Sequence, residues 1–446
     1  MSDRPHPPSV TAVVKQLVEY RLGMYGPSNE PPPEWICNEA AKQAIAEYRE
    51  GKIEDIRVRA SEIVNDIRVF SPHPLQNFSG VILNTGLGRA VLPGQVWAHL
   101  SSTIRHAVNL EIDLETGGRG DRNVHVEKLL CDLTGAEAAM VVNNCAGAVY
   151  LALSALCRDR EVILSRGQMV EIGGSFRMPD VIRDTGCHLV EVGCTNKTHL
   201  RDFQAALTEN TAAILWCHES NYKITGFTSQ PNPADLADLA HRNGALFIDD
   251  AGTGCLINTE QFGIGHERTL QEAVAAGADV VMASGDKLIG GPQAGIILGK
   301  KEIIAALKKH PLARVLRIDK LCLAGLNATL KLYRSDAWKT IPLWECVSRP
   351  LEQVREVAER LAKEYPEAIT QEGITEIGGG SCPGKGIPTV LVGIKSDNLE
   401  ELHRYFRTNF HMVGSVRDGY LWFDPRSVCS PEIGWVNLNV VMPGDD

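Results

Sequence analysis

The chain has 446 residues, 44% hydrophobic and 22% charged, a globular balance that excludes wholesale disorder and exceeds one ordinary core. Its formal net charge of −10 argues against a protein that coats nucleic acid non-specifically, though not against one local basic surface. No apolar run approaches the roughly 18–20 residues of a membrane span, the opening "MSDRPHPPSV" lacks a secretory core, and the twelve cysteines form no C-x-x-C pair or zinc spacing, so the expectation is a cytoplasmic protein with reduced thiols, no membrane contact and no metal.

Residues 1–75 read as a small helical domain with a linker. "PSVTAVVKQLVEYRLGMYG" has helical spacing and ends in glycine, and the proline-rich "SNEPPPEW" reads as linker. "NEAAKQAIAEYREG" follows, with Asn38 expected as N-cap and Gly51 just past the end, and "IEDIRVRASEIVNDIRVF" has an apolar face and a charged one. Nine Lys/Arg stand against eleven Asp/Glu in the first 70 residues, so charge does not mark this unit as basic.

Residues 76–330 alternate short apolar runs with helices, the pattern of a largely parallel α/β sheet. "EVILS", "HLVEVG", "AAILWCH", "ALFIDD", "ADVVMA" and "AGIILG" read as buried strands. "HVEKLLCDLTG" places Val126, Leu129, Leu130 and Leu133 on one helical face. "NPADLADLAHRNG" has Asn232 as cap, Pro233 at the first helical position and Gly244 as the stop. Ligands of such sheets sit beyond the carboxyl ends of the strands. Residues 331–446 read as a small α+β domain, with a long helix in "RPLEQVREVAERLAKEYP" and an Asp418-Gly419 hairpin turn.

The loops after the strands hold the chemistry. In "SGDKLIGGPQAG", Lys287 comes four residues after a buried run, and Ser284 precedes it by three. The Walker pattern is absent, with Leu288 where a hydroxyl would stand. "ALFIDDAGTG" ends another buried run with Asp249 and Asp250, which alternation puts on opposite faces, so only one can reach a ligand. "NNCAGAVYLALSAL" offers a small polar turn, Asn143 to Gly147, at a helix start suited to phosphate. A lysine and an aspartate at strand ends, a serine beside the lysine and such a turn at a helix start together point to pyridoxal 5′-phosphate. The lysine would form the Schiff base, the aspartate would keep the pyridine nitrogen protonated, and Asn144, Cys145, Ala146, Gly147 and Ser284 would receive the phosphate. Cys145 reads as a reactive thiol or a small buried cysteine, and His218 as a cofactor contact or a satisfied core histidine.

At this point the chain resembles the L-seryl-tRNA(Sec) selenium transferases. The resemblance is carried by "NFSGVILNTGLGRAVL", "DLETGGRGDR", "SRGQMVEIGGSFRMPDV", "SNYKITGFT", "SGDKLIGGPQAGIILGKKE" and "HPLARVLRIDK", and it runs over most of the chain. It implies a fold type I pyridoxal phosphate enzyme with Lys287 as the cofactor lysine and Asp250 as the partner of the pyridine nitrogen. It implies an N-terminal domain that helps bind tRNA, and dimers assembled into a ring-shaped decamer. The reaction implied converts serylated selenocysteine tRNA to selenocysteinyl-tRNA with selenophosphate, by β-elimination and selenium addition. Arg314 and Arg317 resemble the arginines that hold the phosphate-like group of the selenium donor, with Arg119 and Arg122 as further anion contacts; a surface ion pair is the plain alternative for each.

The chain departs from the family pattern at Asn84, Gly86, Cys145, Gln168 and Glu219, and "DDAGTG" stands for "DLGSG". Those departures keep a second reading open, a related lyase or ammonia-lyase acting on a small, phosphorylated or plain, amino compound.

Overall fold

The computed structural model describes residues 5–18, 32–68, 71–174, 176–219, 221–365 and 367–429. The chain falls into two compact units, Met1–Pro74 and Leu75–Asp446. Among the described residues no helix is long and apolar enough to cross a membrane.

In the first unit, helices Val10–Val18, Glu34–Arg49 and Ile56–Arg68 enclose a core of Val13, Leu17, Ile36, Ala40, Ala44, Ala60 and Val64. Arg59 joins the second and third of them through Glu47 at 2.7 Å. Asn38 is not the cap expected of it: the helix begins four residues earlier, after Pro33, and the Asn38 amide donates back along the helix to the Glu34 carbonyl at 3.0 Å. Proline supplies the extended residue that precedes the first turn, so the start lies inside what reads as linker. Half of that linker, and the stretch after Val18 that the sequence reads as helical, lie outside the described residues.

The second unit is built on a seven-stranded sheet, its strands labelled in chain order β1 (Ala138–Val142), β2 (Glu161–Ser165), β3 (His188–Val192), β4 (Thr211–Cys217), β5 (Leu246–Gly252), β6 (Val280–Ser284) and β7 (Gly295–Gly299). Their order across the sheet is β1-β7-β6-β5-β4-β2-β3. Pairs within β6-β5-β4-β2-β3 are parallel, and β7 is antiparallel to both neighbours. Six strands fall where the apolar runs place them. The seventh, β1, is missed, because its alanine-rich "AAMVV" follows a helix and a glycine without a strand signal of its own.

Both faces of the sheet are buried, which is why these strands read as continuous apolar runs. Val141, Ile214, Trp216, Phe247, Val281 and Ile296 point into one core, and Met140, Val142, Leu215, Cys217, Ile248, Met282 and Ile297 into the other. The second face is covered by the helix Cys145–Leu156, through Ala148, Val149, Leu151 and Ala152. Helices Val124–Thr134 and Pro233–Arg242 pack on the first, and Asn232 caps the latter through the Ala234 N–H at 3.0 Å.

The remainder forms a four-stranded antiparallel sheet, β8 (Ile369–Gly378), β9 (Ser381–Lys395), β10 (Ser415–Arg417) and β11 (Tyr420–Phe423), in the order β8-β9-β11-β10. Asp418 and Gly419, both at positive φ, make the expected two-residue turn between β10 and β11. The helix Leu351–Lys363 covers β9.

Gly295, the first residue of β7, pairs with Val142 on one side and Ser284 on the other. A Cβ there would fall on the Asn144 carbonyl. Gly295→Ala is therefore expected to lower stability by about 1–3 kcal/mol, as over-packing against rigid backbone does. Urea titration of the variant beside the wild type checks this, and an unchanged midpoint would contradict it.

Candidate active site

Strand β1 delivers Asn144 in extended conformation, where its side chain caps the helix Cys145–Leu156 by accepting from the Gly147 N–H at 2.8 Å. Among the described residues the Cys145 and Ala146 N–H groups find no backbone acceptor, and Ala146 is exposed. A twelve-residue helix thus presents free donors and the positive end of its dipole at the sheet edge.

Strand β6 ends at Ser284, which is buried. The loop after it is folded back on itself by Gly285 N–H to Ala294 O and Gly291 N–H to Gly285 O, each 2.9 Å, and anchored to the β5 loop by Leu288 N–H to Thr253 O, also 2.9 Å. Lys287 is only 7% exposed in this loop, and its amine forms no ion pair among the described residues. The adjacent acid does: Asp286 is held by Arg89 at 2.7 Å.

The two aspartates of β5 separate as alternation requires. Asp250 pairs in register with Cys217 and lies on the face of the Cys145 helix, its Oδ1 3.7 Å from the Cys145 Sγ. Burial pushes the Asp250 carboxyl up to about 6, against the opposing pull of Lys287 and with Asp249 adding to the rise. Burial and the Asp250 charge together hold the Cys145 thiol well above its usual range, so it stays a neutral thiol. Asp249 points to the other face, fully buried, with its Oδ2 2.6 Å from the Arg268 guanidinium.

His218 follows β4, and its Nε2 lies 3.1 Å from Glu267. Burial raises the Glu267 carboxyl, but the His218 hydrogen bond and charge outweigh it and hold the group below its ordinary value. A cavity of about 580 Å³ opens beside His218, lined also by Gln168, Glu219 and Arg268. Among the described residues, three buried polar atoms on its lining have no hydrogen-bond partner, Gln168 Nε2, His218 Nδ1 and Arg268 Nη2, and further such atoms belong to Thr253, Asp249 and Glu267, which do not line it.

The four arginines also meet. Arg119, Arg122, Arg314 and Arg317 line one cavity of about 350 Å³ with Lys308, around Glu111. The Glu111 carboxylate takes Arg122 at 2.5 Å, Arg119 at 3.2 Å and Arg317 at 3.4 Å. Arg122 is buried and also donates to the Ile318 carbonyl at 2.5 Å, so it acts mainly as the brace of the cluster. Arg314 is exposed and has no ion pair among the described residues. Arg317 lies at the end of β1, because its backbone bridges Val142 while Asn143 N–H donates to Leu316 O at 2.9 Å.

Sequence reasoning missed Arg89, Glu111, Glu267 and Arg268 as members of these clusters. Arg89 stood inside a quoted block; the other three are isolated charges whose partners are distant in the chain. The geometry fits a phosphorylated pyridine aldehyde: free helix-end donors for its phosphate, a buried unpaired amine for its aldehyde, and a buried carboxylate on the same face for its ring nitrogen.

Between the ordinary aspartate value of 3.8 and about 6, folded Asp250 binds more protons than the unfolded chain, so stability falls as pH rises through that window. In cofactor-free protein, the wild type is expected to lose about 2 kcal/mol relative to Asp250→Asn between pH 4 and pH 7. Urea titrations of both across that range test this, and parallel pH profiles would contradict it.

A sequence profile of the L-seryl-tRNA selenium transferases matches residues 75–429. Proteins named L-seryl-tRNA(Sec) selenium transferase are similar along most of their length. That of Hyphomonas neptunium is 47% identical over 373 residues, covering 80% of this chain and 79% of its own. That of Carboxydothermus hydrogenoformans is 42% identical over 420 residues, covering 90% of each. That of Aquifex aeolicus is 42% identical, covering 89% of this chain and 91% of its own. Among solved structures, D-glucosaminate-6-phosphate ammonia-lyase superposes with a TM-score of 0.59 at 22% identity, covering 82% of this chain and 96% of its own, which establishes a shared fold. With a mostly parallel sheet of the fold type I class and kinship of this extent, the chain belongs to the L-seryl-tRNA(Sec) selenium transferase family.

Proposed function

We propose that this enzyme converts L-seryl-tRNA(Sec) to L-selenocysteinyl-tRNA(Sec), with pyridoxal phosphate held by Lys287 and selenium supplied as selenophosphate. The observation that carries the reading is a buried, unpaired lysine facing Asp250 in a chain 47% identical to a named selenium transferase. The lyase alternative has only a fold in common with this chain.

Pyridoxal phosphate is the cofactor, and when bound it supplies a ring that accepts the electron pair left on the substrate's Cα. The residues of the chain do the rest. Cys145 and Ala146 would bind the phosphate through free helix-end N–H groups and Ser284 through its hydroxyl, while Asn144 and Gly147 hold the turn that presents them. Asp250 holds a proton on the ring nitrogen, and His218, oriented by Glu267, lies against the same site. The Lys287 amine, buried in the loop after β6, removes the Cα proton.

The serine hydroxyl leaves as water, carrying the proton that Lys287 took from Cα, and Cβ is then open to a selenium nucleophile. Arg314 and Arg317 bind the phosphoryl group of its donor, Arg119 contributes at the rim, and Arg122 with Glu111 holds the fork in place. The proposal extends to a role for the Met1–Pro74 unit in tRNA binding, to dimers assembled into a decameric ring and to a cytoplasmic reaction; what supports a tRNA substrate at all is the name of the relatives, seryl-tRNA(Sec) transferases.

Incubation of the holoenzyme with seryl-tRNA(Sec) and selenophosphate tests the reading: selenocysteinyl-tRNA should form, and its absence with a cofactor-loaded enzyme would overturn it. Lys287→Ala should abolish the visible band of the lysine-bound cofactor. Arg317→Ala should leave that band unchanged and raise the KM for selenophosphate roughly 10–100-fold, the value of one or two charge-assisted hydrogen bonds. A KM within twofold of wild type would remove Arg317 from the donor site.

A further inference from the structure

The larger cavity lies at the carboxyl ends of β2, β3 and β4, and two of its walls carry donors without acceptors. Gln168 is 1% exposed. Its Oε1 faces the Cys217 N–H at 3.5 Å, and because that group can only donate, the amide nitrogen must turn the other way. Gln168 Nε2 is buried with no partner among the described residues. Arg268 directs Nη1 to Asp249 at 2.6 Å, and its Nη2 is likewise buried without an acceptor. A buried donor left unmade costs about 1–3 kcal/mol, and two on one cavity call for an acceptor in the ligand.

The charge of the cavity says which acceptor. The positive charge of Arg268 is already matched by Asp249, which is fully buried behind it. Glu219 lines the same wall, and Lys197 stands exposed at the edge. A carboxylate entering here would meet no uncompensated buried cation and would approach Glu219. A neutral carbonyl would satisfy both donors without bringing charge into the site.

We propose that Gln168 and Arg268 bind the acyl carbonyl oxygen of an esterified amino acid, and that Asp249 makes the site selective for the ester by cancelling the charge of Arg268. This rests on the seryl-ester substrate of the proposed function and names the residues that tell it from free serine. One of the departures from the family pattern, Gln168, thereby acquires a role.

The test follows the visible band of the holoenzyme during titration with L-serine methyl ester and with L-serine. The wild type should bind the ester at least 10-fold more tightly than the acid. Gln168→Leu and Arg268→Lys, the latter keeping the charge balance but losing the planar fork, should each weaken the ester about 10-fold while the band of the unliganded enzyme stays in place. Asp249→Asn should tighten free serine about 10-fold and narrow the preference. Equal binding of ester and acid by the wild type would overturn the proposal whichever variants fold, as would Gln168→Leu and Arg268→Lys both binding the ester within twofold of wild type. Failure of the parent reading is separate, because it shows as no selenocysteinyl-tRNA from the unmodified enzyme.

Discussion

Gly295 is paired between two strand ends at once, and the site depends on that arrangement. Its register partners are Val142, the last residue of β1, and Ser284, the last residue of β6. Because β7 runs antiparallel between them, the loops leaving β1 and β6 emerge on the same sheet edge. One of those loops opens the Cys145 helix and the other carries Lys287. A phosphate-binding helix end and a reactive amine, 140 positions apart in the chain, thus meet through one glycine whose side chain has no room to exist.

The second constraint is the alternation of a strand buried on both faces. Neighbouring aspartates in β5 face separate cores, so one strand serves two purposes. Asp250 joins the Cys145 helix and Lys287, in surroundings that raise its carboxyl to about 6. Asp249, one residue away, is tied to Arg268 on the opposite side and neutralises that guanidinium. Desolvation disfavours both charges, and each is tolerated because a cation stands near it. The arginine cluster uses the inverse device. There one carboxylate, Glu111, holds three guanidiniums close enough that Arg317 is depressed by burial and by its neighbours Arg122 and Arg314.

What was legible in the sequence follows from these physics. Apolar runs between glycine and polar turns located six of seven strands within about two residues, because a strand buried on both faces cannot carry polar side chains. β1 escaped, since alanines favour no strand and its pairing with β7 is set by residues 150 positions later. Asn38 was misplaced as a cap because Asn is a strong cap by type, whereas Pro33 had already set the entry. Lys287 and Asp250 are visible because each sits at the end of an apolar run, and the Asn144 turn because small polar residues open an apolar helix. The partners were not. Glu111, Glu267 and Arg268 look like ordinary surface charges in the chain, and only the tertiary fold turns them toward Arg122, His218 and Asp249.

The claim on which the account turns is that Lys287, lodged between the Asn144 turn and Asp250, carries the cofactor. Borohydride reduction of the holoenzyme fixes pyridoxal phosphate covalently to its lysine, and peptide mass mapping then reads which residue holds it. The account predicts the phosphopyridoxyl group on the peptide containing "SGDKLIGG", at Lys287. Stoichiometric label on any other lysine, with Lys287 unmodified, would contradict it.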